Sequence, residues 1–332
     1  EHQYLKLFDA IDQQLEYNEP DLLKKFKSES FVKQLSVTKS YLWDLILKSQ
    51  RAYRAQSSKF MRLNALMENG EILFEKGLYE QALVACDKAK KLAEAFDEKA
   101  FILDLEAWKR RYFVDLKAEL WDTNVLPSFE TTDKLIEQYR TTFEIQKIYY
   151  QITKYIKTYP DFRNPEHKQK YEALLQHPLI QAKNEPADFY GKLYFNYVHS
   201  NYHNLANNEK ENLKYINKVI QLWHENPLLI NVEPIRYIAA INNYLGTLSK
   251  FGRYTEFINY VEAFKPPVFN SISQEAIYYE HWWRWKEITF KITKNDIEFG
   301  NFIDETFPKL VAYAPYINSV RCMLIRFAIA GH

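Results

Sequence analysis

Apolar positions along this chain keep a helical period almost throughout. Leu63, Leu66, Gly70, Leu73 and Phe74 recur at steps of three and four, and after Gly77 so do Tyr79, Ala82, Leu83, Cys86 and Ala89. That spacing gathers each set on one helix face. Gly77 between them reads as the turn, because a helix commonly ends on a left-handed residue that glycine adopts without a Cβ clash. Gly70 and Ala82 then fall at matching depths on facing helices, where short side chains let two backbones approach. The second helix runs on to about Phe96.

The same logic returns downstream. In 190–224, Ser200 takes the small position of a first helix, Asn207 the turn, and Leu213, Ile216 and Val219 the inner face of a second helix. In 235–264, Gly252-Arg253-Tyr254 mirrors Gly77-Leu78-Tyr79, followed by Phe257, Ile258 and Val261. A further pair spans 272–313, turning near Asn295-Asp296, with Gly300 in the small position of its second helix. Turns at 77, 207, 252 and 295 are separated by 130, 45 and 43 residues, and 130 divides into three steps of about 43. Hidden turns are therefore expected near 120 and 163, where WDTNVLPSF (121–129) and YPDFRNPEH (159–167) read as loops.

Residues 1–56 form an N-terminal helical region, expected to cap one end of a stack: a helix over LKLFDAIDQQLEY, a break at Asn18-Glu19-Pro20, then helices through DLLKKF and FVKQLSVTKSYLWDLILKSQRAY. Residues 57–160 hold the first helix-pair units and 187–332 a second set. Between them, 161–186 is a connector or degenerate helix containing Pro165, Pro178 and Pro186. The final stretch, NSVRCMLIRFAIAGH, looks like a first helix whose Cys322, Ile325, Ala328 and Ile329 need a partner, and the expectation is a fragment of a longer protein.

Helix, turn glycine, aromatic and small residues together resemble the tetratricopeptide repeat. Its small positions fall here on Gly70, Ala82 and Ala89, its turn glycine on Gly77 and the following aromatic on Tyr79. The family's proline near the end of the second helix is absent, Glu94 standing there, and the units exceed the family's usual 34 residues. The resemblance implies an all-α, right-handed α-solenoid of stacked antiparallel helix pairs with elongated units of about 43 residues. It also implies that first helices line a concave groove. The groove positions carried over are Asn64, Met67, Glu71 and Phe74, then Tyr194, Tyr197, Asn201 and Asn204, then Asn242 and Ser249, then Trp282, Trp285 and Thr289. Asn201 with Asn243 resembles the asparagine pair that family members set on a bound peptide. The lysines of the family's carboxylate clamp are missing, Tyr197 standing where one is expected.

Composition narrows the picture. The 25 tyrosines and 22 phenylalanines suit half-buried positions between thin layers. A net charge of +1 supplies no long-range field for nucleic acid or an anionic membrane. No apolar run approaches 18 residues, so no membrane span is expected. Cys86 and Cys322 lack metal or redox spacing and read as reduced, placing the chain in the cytoplasm. No phosphate-binding glycine loop, GxSxG elbow or HExxH occurs. His199 and His203, four apart, fall at packing positions; no metal or cofactor is expected. The resulting expectation is a non-enzymatic scaffold that binds a peptide or protein segment through Tyr194, Tyr197, Asn201, Asn204, Asn242, Asn243, Trp282 and Trp285. The alternative is a small-molecule sensor or enzyme with a pocket near Trp282 and Trp285 in HWWRWKE.

Overall fold

The computed structural model describes residues 2–14, 16–54, 58–113, 121–183 and 185–316. Among them are sixteen α-helices and no strand. The chain divides into two units, residues 1–65 and 66–332. In the first, α1 (His2–Asp12), α2 (Glu19–Lys25) and α3 (Leu35–Arg54) close over Leu7, Ala10, Leu22, Phe26, Phe31, Leu35 and Leu42. Asn18 caps α2 by accepting from the Asp21 amide, with Pro20 in the first turn, where its missing N–H leaves no donor orphaned.

In the second unit the helix ends decide the architecture. Helix α4 (Lys59–Glu75), which belongs to this unit from Leu66 on, meets α5 (Tyr79–Ala95) at Gly77, whose φ is +73°. The Leu78 amide reaches back to the Leu73 carbonyl at 3.0 Å and that of Gly77 to Phe74 at 2.9 Å, a Schellman closure. Gly70 faces α5, where an added Cβ would stand in ordinary contact, 3.4 Å from Cys86 Sγ and 3.8 Å from the Ala82 carbonyl. Tyr79 departs from the expected inner face and is 41% exposed. A second hairpin, unforeseen from sequence, joins α5 to α6 (Lys99–Phe113) at Asp97, which takes φ +54°.

The stretch 121–129 is not the expected loop. Residues Trp121–Val125 form a π-helical turn that leads directly into α7 (Leu126–Thr158), a helix of 33 residues. Pro127 sits in the first turn of α7, where proline is tolerated. The other expected turn is present: 159–164 separates α7 from α8 (Pro165–Leu175), followed by the short α9 (Pro178–Gln181).

Then come α10 (Phe189–Leu205) and α11 (Glu209–His224), α12 (Pro227–Val232), α13 (Pro234–Lys250) and α14 (Tyr254–Ala263), and α15 (Ile272–Thr293) and α16 (Asp296–Tyr313). Their hairpins turn on Asn207, Gly252 and Lys294, all left-handed. Gly300 is exposed with open space around it, so it is not the packing contact expected. The C-terminal positions Cys322, Ile325, Ala328 and Ile329 lie outside the described residues.

Helix packing runs α7 on α10, α10 on α11, α11 on α13, α13 on α15 and α15 on α16. Ile145, Ile148 and Ile152 of α7 meet Tyr171, Ile180, Tyr194, Phe195 and Val198 in one core. Side-chain bonds from α7 to the start of α10, between α10 and α13, and between α13 and α15 recur at similar sequence separations. Thr142 donates to Asp188, 46 residues on, and Gln146 to Tyr194, 48 on. Tyr190 donates to Glu233 (43), and Lys250 to Asn204 (46). Trp285 donates to Asn242 (43). Partners advance together along both helices, so α7, α10 and α13 run parallel.

Candidate functional site

The start of α10 is fixed by a buried polar knot. Asp188 caps the helix by accepting from the Gly191 amide at 2.6 Å, and accepts from Thr142 at 2.9 Å. Gly191 is obligatory there, since a Cβ would stand 2.6 Å from Pro186 Cβ. Lys99, buried, pairs with Asp97 and lies 3.3 Å from Asp188, while Asp97 also accepts from the Tyr190 amide. Setting two half-buried carboxylates around one buried ammonium is tolerable only because each is hydrogen-bonded. The knot holds the N-terminus of α10 in register with α6 and α7.

That register brings five tyrosines onto one face. Tyr149 lies 5.2 Å from Tyr194 and 5.6 Å from Tyr197, and Tyr150 lies 6.4 Å from Tyr194, ring centre to ring centre. Arg236 of α13 stacks its guanidinium 4.8 Å from the Tyr190 ring and donates to the Tyr194 hydroxyl at 3.0 Å and to Glu233 at 2.9 Å. Gln146 donates to the same Tyr194 oxygen at 3.1 Å. Tyr150 is 58% exposed and Phe143, one heptad earlier on α7, is 50% exposed. Burial pushes the Tyr194 and Tyr197 hydroxyls above the usual phenol range, so both keep their protons at neutral pH.

The sequence-predicted residues are distributed as follows. Tyr194 and Tyr197 are buried, and the Tyr197 hydroxyl is bonded with Asn243. Asn204 accepts from Lys250 through its side chain at 3.0 Å and through its backbone carbonyl. Asn201 is half-buried on the same helix. The structure therefore brings Tyr194, Tyr197, Asn201, Asn204 and Asn243 onto the adjoining helices α10 and α13, with both tyrosine hydroxyls, Asn204 Oδ1 and the Asn243 amide spent on helix-to-helix bonds. Asn242 accepts from the Trp285 indole at 3.2 Å, and Trp285 is buried. Trp282 is half-buried against Tyr279 and Phe302, and Trp283 donates to Thr306. The three tryptophans of HWWRWKE thus divide among different contacts rather than forming one platform.

Sequence reasoning missed Phe143, Gln146 and Tyr150, because it assigned no groove position to α7, and Arg236, because the positions it carried over to α13 were Asn242, Asn243 and Ser249. A signal existed: Phe129, Ile136, Phe143 and Tyr150 recur every seventh residue and are all exposed. His199 and His203 stack on Tyr215, at 4.4 and 5.8 Å with nearly parallel rings. Burial lowers both their pKa values, that of His199 to about 4. Cys86 is a free, buried thiol whose pKa burial raises to about 11, which keeps it unreactive. Among the described residues no three His, Cys, Asp or Glu side chains gather to hold a metal ion, and no helix is long and apolar enough to cross a membrane. Compared with family models, with curated proteins and with solved structures, the chain matches none.

Proposed function

We propose that the chain is a non-enzymatic interaction scaffold of the tetratricopeptide kind, a right-handed stack of helix pairs with units of about 43 residues. Its groove takes an extended peptide or protein segment. The recurring bonds between parallel first helices, at separations of 42 to 48 residues, support the repeat length. Resemblance to the family rests on Gly70, Gly77, Tyr79, Ala82 and Ala89 and on the left-handed turns at Gly77 and Gly252. A cytoplasmic setting belongs to this reading through the reduced Cys86.

The single observation that carries the binding role is Tyr150 and Phe143, two exposed aromatic rings one heptad apart on α7, with Tyr150 lying 6.4 Å from Tyr194 of the tyrosine and arginine cluster. Rigid aromatic rings give large contact area at low entropic cost, which is how preformed surfaces bind peptides. Tyr194 and Tyr197 contribute by shaping that face. Truncating them would cut helix-to-helix bonds, so the informative substitutions are the exposed ones.

The test is a quantitative pull-down with the intact gene product against Phe143→Ala and Tyr150→Ala, each checked for an unchanged melting temperature. A partner captured by the wild type should fall at least tenfold with either variant, consistent with losing an aromatic anchor worth about 1–2 kcal/mol or more. Equal capture by all three proteins would reject the assignment.

A further inference from the structure

The Tyr194 hydroxyl carries one hydrogen and can accept two. Both acceptances are used, one by Gln146 Nε2 at 3.1 Å and one by Arg236 Nη2 at 3.0 Å. Its own O–H is spent on neither. Arg236 spends Nη1 on Glu233 and Nη2 on Tyr194, and a guanidinium carries five N–H groups in a planar fork. The Arg236 side chain remains 40% exposed, and its plane is held by stacking near Tyr190 and Tyr194. What this node presents beyond its internal bonds is the remaining N–H groups of a half-exposed fork, braced by the buried Tyr194 hydroxyl and next to the exposed ring of Tyr150.

We propose that the Tyr194–Arg236 node takes the carboxylate of an Asp or Glu side chain in an extended partner segment, with a neighbouring apolar side chain resting on Tyr150. A planar fork with spare N–H groups matches a carboxylate's two oxygens, and charge-assisted bonds of this type are the stronger kind. Glu233 is engaged at Nη1 and by the Tyr190 hydroxyl at 2.9 Å. Held by these contacts, the guanidinium loses little freedom when a ligand arrives. This inference rests on the groove reading above and adds the partner's chemistry to it.

The experiment is selection of linear peptides from a random phage-displayed library on the full chain. Synthetic copies of the winners are then measured by fluorescence anisotropy. Expected winners carry Asp or Glu beside an apolar residue, and replacing that acid by Gln or Asn weakens binding at least tenfold. On Tyr194→Phe, checked by melting, which keeps the ring but removes the hydroxyl that braces Arg236, the acidic peptide binds several-fold more weakly and the penalty for neutralising its acid shrinks. Arg236→Gln, checked by melting, abolishes that penalty. Winners that depend on Tyr150 yet show no preference for an acid would overturn this inference and leave the groove reading standing. A library yielding no peptide sensitive to Tyr150→Ala would overturn both.

Discussion

At the scale of single residues, the chain uses polar side chains as fasteners inside an aromatic core. Ser200 and Asn212 make a buried bond of 2.9 Å between α10 and α11, and Trp283 and Thr306 make one of 3.1 Å between α15 and α16. His199 behaves differently. Its ring stacks on Tyr215 and hydrogen-bonds the Ile180 backbone, while Nε2 has no hydrogen-bond partner among the described residues. Desolvation holds its folded pKa near 4 against about 6.5 when unfolded, and Lys214 and His203 oppose protonation while Glu185 favours it weakly. Because the folded value is depressed, the unfolded chain binds a proton first. Stability from the neutral ring is therefore complete above about pH 6.5, is lost as pH falls toward 4, and falls no further below that. The loss is expected to reach about 2–3 kcal/mol, with His203 adding in the same direction. Denaturant titrations at pH 7.5 and 4.5 check this: His199→Phe, which keeps a stacked ring, should flatten the difference. An identical pH dependence in the variant would assign the acid sensitivity to other groups.

At the scale of helices and turns, left-handed residues set where each hairpin closes. Gly77 and Gly252 do so without strain, whereas Lys294 adopts φ +55° with a side chain that disfavours it. Lys294→Gly should raise stability by about 0.5–1 kcal/mol, and Gly77→Ala should lower it by about 1 kcal/mol, read from urea midpoints at constant slope. A stabilising Gly77→Ala, or a Lys294→Gly that destabilises, would contradict this view of the turns. The sequence announced the turns that glycine or asparagine mark. It was silent at Asp97, whose carboxylate bonds the nearby Lys99 and the Tyr190 amide, the second a distant contact that no local pattern reveals. It misled at 121–129, where Asp122, Asn124 and Pro127 look like loop residues. Their real places are a π turn and a helix's first turn, positions that accept them.

At the scale of the molecule, the helical class was legible because apolar spacing is a local signal. The site was only partly legible. Projecting family positions reached Tyr194, Tyr197 and Asn243, which do converge, but it cannot tell a ligand-facing amide from one spent on a neighbouring helix. Tyr150 and Arg236 come to the same face only through the parallel alignment of α7, α10 and α13, a long-range outcome fixed by bonds such as Thr142 to Asp188. That alignment, carried over residues 142–250, is what turns scattered aromatics into a surface. The most direct measurement is hydrogen exchange of the full chain with and without a captured partner or selected peptide. Slowed exchange should appear in α7 around residues 143–153, in the first half of α10 and around Arg236 of α13. Protection confined to other segments, such as the α4–α5 groove lined by Ile72 and Val84, with these three helices unchanged, would contradict the account.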